Sequence, residues 1–449
     1  MNYTIYRIVK KGIYMRLIID NFAKISKADI KVDGITVIAG ENNTGKSTIG
    51  KILFSLFNAI SEIDEKIAKQ RIKEIEDSCR LLFRDYSMHS SPKSIFMRNS
   101  PMLARIIANQ FDMELKKNNR LEKSDIYNII HESVNKRINL DELEDIEWST
   151  MLETMTDKIE SIIGLSEKDI TLEVVSRYFN NVFHNQINSL VGNSVDAKVQ
   201  LEIKKKLIDL TFKNNECTSF SADIAILHNA IYIDNPFIID SLSSYFDLNT
   251  MDEYLRDLLT NDFKDDIMDG IIESVLVKEK LSEVYKALQN VVDGQIIEKQ
   301  DNEYYYQRDG FSKPVYFNNL STGIKSFIIL KMLLEKNILK EKDIIILDEP
   351  EIHLHPQWQV AYAELIVLLQ KHFDLSIIVA THSPYFLDAI NLFSVKHGID
   401  NKVNYYLSSM DNDNQVQMER VTDNIDLIYK KMASPIQILD SLRYELNNK

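Results

Sequence analysis

The chain is poor in the residues that punctuate or cross-link structure, with 12 glycines, 8 prolines and 2 cysteines among 449 residues. Cys79 and Cys217 belong to no C-x-x-C pair and no His/Cys cluster at zinc spacing. Disulfide frameworks and zinc modules drop out, and buried free thiols remain as the reading. No low-complexity tract or internal repeat stands out. Long hydrophobic runs are missing too. No segment approaches the length of a membrane span and the N-terminus lacks the apolar core of a signal peptide, so a cytoplasmic protein without membrane contact is expected. Positive charge is also short, with 53 Lys and Arg against 67 Asp and Glu and a formal charge of −14. That balance argues against a surface that coats nucleic acid throughout, while leaving room for a local basic groove. Small basic clusters at Lys116, Lys117 and Arg120, and at Lys204, Lys205 and Lys206, read as solvated faces or as binding faces. Acidic runs such as Asp141, Glu142, Glu144, Asp145 and Glu147 offset them.

What is present is ordinary in bulk, 45% hydrophobic and 27% charged, as in globular proteins. The length suits two or three domains, or one large domain with an insertion. Two of the scarce glycines bracket Gly40-Glu41-Asn42-Asn43-Thr44-Gly45-Lys46-Ser47, which fits G-x-x-x-x-G-K-[S/T]. Before it, Ile35-Thr36-Val37-Ile38-Ala39 reads as a short β-branched strand; after it, Ile49, Ile52, Leu53, Leu56 and Phe57 recur at helical spacing. In that strand-loop-helix context the glycines let the backbone wrap phosphates, with amide N–H groups and a helix N-terminus facing them. A nucleoside triphosphate is the expected ligand, held by residues Gly40 to Ser47 and Thr48. Lys46 would contact the β and γ phosphates and Ser47 would ligate Mg2+.

Three further segments follow in fixed order near the C-terminus. Leu320-Ser321-Thr322-Gly323 precedes a helix carrying Phe327, Ile328, Leu330, Leu333 and Leu334. Ile344-Ile345-Ile346-Leu347 ends in Asp348-Glu349-Pro350, and Ile377-Ile378-Val379-Ala380 ends in Thr381-His382-Ser383. Apolar runs without alternation predict strands covered on both faces in a parallel sheet, whose C-terminal ends are where open α/β sheets bind ligands. Asp348 is placed to hold Mg2+, Glu349 to act as the general base that polarises an attacking water, and His382 to meet the γ-phosphate.

Together these motifs resemble those of the ABC-type ATPases, particularly the branch with RecF, the SMC-type repair ATPases and the OLD-type ATPases. Asp348-Glu349-Pro350-Glu351-Ile352-His353-Leu354-His355-Pro356 resembles the OLD and RecF-like group rather than transporters. The resemblance implies an α/β fold: a P-loop ATPase head, a mixed sheet flanked by helices, with a mainly helical insertion. It also implies ATP hydrolysis with Lys46, Glu349 and His382 as catalytic residues, and an ATP-sandwich dimer or higher oligomer. Leu320, Ser321, Thr322 and Gly323 would then meet the γ-phosphate bound by the other copy. Asn43 stands where the family often has glycine, and Thr322 replaces the first glycine of the commonest signature. No glutamine lid is assigned. His353 and His355 have H-x-H spacing, which occurs in zinc sites, but no third ligand is evident.

The interval from Lys46 to Ser321 is far longer than a transporter head uses. Expected domains are an N-terminal head portion at 1–60, a helical insertion at 61–195, the rest of the head at 196–391 and an α/β extension at 392–449. The insertion reads as a compact helical arm, because its apolar register breaks too soon for a long coiled coil. Val199 to Phe212 reads as a hairpin, Ala230 to Ile233 as a buried strand and 250–292 as helix. Gln295 to Phe317 reads as strands at the edge of the main sheet. The residues after His382 are too few for the Toprim nuclease domain of OLD nucleases. The resemblance therefore implies an ATPase controlling a separately encoded nuclease or toxin effector in a bacterial phage-defence system. The alternative is a RecF-like DNA repair ATPase that binds DNA directly.

Overall fold

The computed structural model describes residues 15–89, 93–118, 120–137, 146–191, 195–243, 248–260, 281–299 and 303–447. The chain divides into two compact units, one of residues Glu62–Glu173 and the other of the residues on either side.

The larger unit is built on a mixed sheet. Its first seven strands are β1 (Met15–Phe22), β2 (Ile25–Lys31), β3 (Ile35–Gly40), β4 (Ala197–Ile203), β5 (Lys206–Lys213), β6 (Glu216–Ala222) and β7 (Ala230–Ile233). A separate antiparallel sheet holds β8 (Gln295–Lys299), β9 (Glu303–Gln307) and β10 (Val315–Tyr316). The main sheet then gains β11 (Ile344–Asp348), β12 (Ser376–Thr381), β13 (Val403–Met410) and β14 (Val416–Arg420). Its order is β6-β5-β4-β1-β2-β14-β13-β3-β12-β11-β7. The run β13-β3-β12-β11-β7 is parallel, and the run from β6 to β2 is antiparallel. Physical chemistry accounts for the difference. Strands β3, β7 and β11 are buried at every position, so they need apolar side chains on both faces, whereas β4 and β5 alternate buried with more exposed residues.

Register brings the motif ends level. Thr381 pairs with Ala39 and Asp348 with Ala380, so the loops after β3, β11 and β12 leave the sheet along one edge. Helix α1 (Lys46–Ile60) follows the first of these loops and lies against β7, β11 and β12. The approach is close: a Cβ on Gly50 would sit 2.6 Å from Ile346 Cγ2.

The helical expectation for the insertion holds in α2 (Ile63–His89), α3 (Lys93–Lys117), α4 (Lys123–Asn135), α5 (Ile146–Gly164) and α6 (Glu167–Phe183). The smaller unit has its own core, in which Phe83, Phe111, Ile130, Trp148 and Met155 are buried. Cys79 lies there and Cys217 lies on β6; both thiols are buried and free, and burial pushes each up to about 12. The unit boundary at 173 falls short of the expected 195, because Phe179 and Phe183 at the end of α6 pack against Phe22 of β1.

One strand assignment needs correction. β8 to β10 do not extend the main sheet, whose edge beside β11 is occupied by β7. They form their own sheet, and Tyr304 and Tyr306, two residues apart on one face of β9, send their rings into the main core. The predicted helix over 250–292 appears as α7 (Thr250–Thr260) and as helical residues 281–289; residues 261–280 lie outside the described ones. The remaining helices are α8 (Thr322–Glu335), α9 (Pro356–Phe373), α10 (Pro384–Lys396), α11 (Asp426–Met432) and α12 (Ser434–Asn447). No helix among the described residues is long and apolar enough to cross a membrane.

Candidate functional site

The loop between β3 and α1 opens into a cavity of about 660 Å³, lined by Asn42 to Ser47, Thr48, Lys51, Asp234, Asp348 and Glu349 among others. The backbone conformation explains the residue types. Asn43 and Gly45 adopt left-handed φ angles of 66° and 74°, a region glycine and asparagine tolerate best. Gly40 has no room for a side chain, since a Cβ there would lie 2.5 Å from the Ser408 carbonyl oxygen. Strand β13 thus braces the loop from below. The Ser408 hydroxyl also donates to the Thr44 carbonyl, and Thr44 Oγ1 donates to the Glu41 carbonyl at 2.7 Å. Lys431 on α11 lies 3.2 Å from the Glu41 carboxylate.

Lys46 is buried, and its ammonium donates to the Gly40 and Glu41 carbonyls at 3.1 and 2.8 Å. It also lies 3.6 Å from Glu349 Oε1. Ser47 Oγ donates to Asp348 Oδ1 at 2.9 Å, across 301 residues of chain. The other Asp348 oxygen accepts from the buried Tyr232 hydroxyl at 2.6 Å. Burial raises the Asp348 carboxyl above the usual carboxylate range, while these two donors and Lys51 pull it back. Asp234, one residue beyond β7, lines the same cavity, and burial together with Asp252 and Asp348 raises its carboxyl to about 6.

Glu349 occupies left-handed backbone at φ 49°, with its N–H donating to the Ala380 carbonyl at 2.9 Å. His382 Nδ1 lies 3.4 Å from Glu349 Oε1 and 3.5 Å from Glu351 Oε1. Glu351 is buried, and its Oε1 accepts from Thr381 Oγ1 at 2.5 Å, His382 N at 2.9 Å and Ser383 N at 3.2 Å. Lys46 and His382 thus both meet Glu349 Oε1, and His382 also meets Glu351 Oε1.

Leu320, Ser321, Thr322 and Gly323 stand apart from this cluster. Ser321 caps the N-terminus of α8 without a side-chain hydrogen bond to it. Ser321, Thr322 and Gly323 line a second cavity of about 550 Å³ with His353, His355 and Trp358, none of which lines the first. A Cβ on Gly323 would meet the Trp358 ring at 2.7 Å. Deeper along α8, the buried Lys325 ammonium lies 2.6 Å from both Asp240 oxygens. His355 Nδ1 accepts from Gln357 N at 3.4 Å, and His353 meets the Phe237 ring edge-on at 5.6 Å.

Sequence reasoning missed Tyr232, Asp234 and the place of Glu351. A signal existed for Asp234: it follows a four-residue buried strand, as Glu349 and His382 follow theirs.

Comparison with known proteins gives this geometry a family. A model described as an AAA ATPase domain matches residues 15–387. Septu protein PtuA of Bacillus thuringiensis is 35% identical over 113 residues, covering 22% of this chain and 28% of that protein. Retron Ec83 probable ATPase of Escherichia coli is 26% identical over 274 residues, covering 54% of this chain and 46% of that protein. The chain thus spans less than half the length of these curated relatives. The SMC head domain from Thermotoga maritima is 11% identical, with a TM-score of 0.38 over 92% of this chain and 99% of that one. An Smc head bound to the C-winged helix domain of ScpA is 12% identical, with a TM-score of 0.42 over 92% and 99%. With the family model spanning most of the chain, the chain belongs to the AAA ATPase domain family.

Proposed function

We propose that the chain hydrolyses Mg-ATP at the β3–α1 cavity and that nucleotide-dependent self-association controls a separately encoded nuclease or toxin effector in bacterial phage defence. The observation that carries the site is the convergence of Lys46, Ser47, Asp348 and Glu349 on one cavity from segments about 300 residues apart. The donor set fits magnesium: a hydroxyl and a carboxylate 2.9 Å apart beside the phosphate loop are oxygen ligands of the kind this ion takes. Ser47 and Asp348 would hold the ion, whose chemistry there would be to offset phosphate charge. The loop amides and the N-terminus of α1 orient the phosphates, and Lys46 matches the charge that grows on them. Tyr232 fixes the Asp348 carboxylate through its second oxygen. Glu349 takes the proton of the attacking water, and His382 and Lys46 both hold its Oε1.

Self-association is supported by the separation of the two cavities. Ser321 to Gly323 sit at a helix N-terminus suited to an anion, yet they line no part of the phosphate cavity. A second copy would supply them across the nucleotide. The head on this reading comprises residues flanking the helical unit Glu62–Glu173. The defence role and the effector draw on the resemblance to OLD-type ATPases and on kinship with a Septu protein and a retron ATPase. The RecF-like reading has one observation in its favour. Lys204 to Lys206, at the exposed turn between β4 and β5, present three adjacent cations suited to a nucleic-acid backbone.

The test is to trap the Glu349→Gln protein with ATP in its native cells and identify what co-purifies. A stoichiometric protein partner supports effector control. DNA alone, released at moderate salt, supports the RecF-like reading instead.

A further inference from the structure

Glu351 is the carboxylate whose presence the hydrolytic steps above leave unexplained. All three of its donors, Thr381 Oγ1, His382 N and Ser383 N, converge on Oε1. A glutamine carbonyl would accept the same three hydrogen bonds. Oε2 is buried with no hydrogen-bond partner among the described residues, an arrangement that is costly for a carboxylate. The three accepted hydrogen bonds therefore do not select glutamate over glutamine, and charge is a difference that remains; burial raises the Glu351 carboxyl, and Thr381 Oγ1 with the His382 amide and imidazole draws it back. The side chain that charge faces is the imidazole of His382, with Nδ1 at 3.5 Å. The same Nδ1 is 3.4 Å from Glu349, so two carboxylates face one ring nitrogen.

The anchor is rigid. Ser383 Oγ donates to Gln359 Oε1 at 2.8 Å, and Gln359 Nε2 donates back to the carbonyls of Glu351 and Leu354 at 3.3 and 3.1 Å. Glu351 thus ties the loop after β11 to the end of β12 and the start of α10, which Ser383 caps through Phe386 N.

We propose that Glu351 is a positioning residue of the hydrolytic site: its negative charge orients His382 with Nδ1–H toward Glu351 and Glu349, leaving Nε2 as the nitrogen free to meet an anion. This rests on the phosphate cavity being the site of hydrolysis. A ring whose one nitrogen donates to carboxylates has its tautomer fixed, and outer partners of this kind set the activity of the group they hold. Donation to a phosphate from Nε2 then requires a proton on that nitrogen as well, with Nδ1–H still facing the two carboxylates.

Glu351→Gln keeps the three hydrogen bonds and removes the charge, so the variant is expected to fold. Three readouts follow. In nucleotide-free protein, the imidazole 15N shifts of His382 should show Nδ1 protonated in the parent and a mixture of tautomers in Glu351→Gln. In steady-state hydrolysis, kcat should fall by about 10–100-fold while KM for ATP changes by less than about threefold. In a His382→Ala background, Glu351→Gln should lower kcat by less than about twofold further, because the residue through which it acts is gone. An unchanged 15N pattern, an unchanged kcat, or the full loss repeated in the His382→Ala background would overturn the proposal. Lys46→Ala separates the two levels. Should it retain full hydrolysis, the site itself is misplaced; should it abolish hydrolysis while Glu351→Gln matches the parent, only the role of Glu351 fails.

Discussion

Glu349 combines two conditions that the proposed hydrolytic role would use. Its left-handed backbone costs about 1–2 kcal/mol for a residue with a Cβ, and its carboxylate is flanked by Lys46 and His382. On the proposed reading, that backbone conformation would hold the carboxylate at the hydrolytic site. Glu349→Gln should therefore keep ATP binding and lose about 100-fold or more in kcat, whereas Lys46→Ala should lose nucleotide binding itself, each measured by steady-state hydrolysis and equilibrium binding. Asp234 makes a different prediction. Its carboxyl is raised from 3.8 to about 6, chiefly by burial. The folded protein thus binds this proton more tightly than the unfolded chain, and the associated stability is present at low pH and lost as pH rises from about 4 to 6. Asp234→Asn should accordingly stabilise the metal-free protein at pH 7 by about 1–3 kcal/mol, with the gain vanishing below about pH 4 in thermal unfolding scans. Tyr232→Phe removes the donor to a buried Asp348 oxygen and should destabilise by about 1–3 kcal/mol while weakening Mg2+-dependent ATP binding.

At the scale of elements, two glycines set how closely helices approach their neighbours. Gly323 places the start of α8 against the Trp358 ring of α9, with no space for a methyl group. Gly323→Ala should destabilise by about 1–3 kcal/mol, and Trp358→Ala in the same chain should recover part of that loss in denaturant unfolding. The elements that carry the site were readable from the sequence for a physical reason. Strands β3, β11 and β12 are covered on both faces, which forces unbroken apolar runs, and each ends in polar residues of recognisable type. β8 to β10 were readable as strands but not as a separate sheet, because a period of two reports one buried face without saying what covers it. Tyr232 and Glu351 escaped notice because their meaning lies in partners distant in sequence: Asp348 is 116 residues from Tyr232, and Thr381 is 30 from Glu351. The insertion was legible as helical, yet its end was not, since Phe179 and Phe183 continue a helical pattern while packing on β1 within the larger unit.

At the scale of the whole molecule, the signature residues and the phosphate loop occupy separate cavities, so a sandwich of two copies predicts a simple change in mass. Glu349→Gln should be monomeric without nucleotide and dimeric or larger with Mg-ATP by light scattering, and Ser321→Arg should prevent the change without weakening ATP binding. A mass that does not respond to nucleotide would remove the sandwich. Sheet order carries a further consequence. The family model ends at residue 387, yet β13, at Val403–Met410, lies between β3 and β14 and presses the Ser408 carbonyl against Gly40. The stretch recognisable by kinship is therefore smaller than the stretch that braces the loop after β3. A fragment cut at residue 387 would keep every motif and lose the keel on which its phosphate loop is laid.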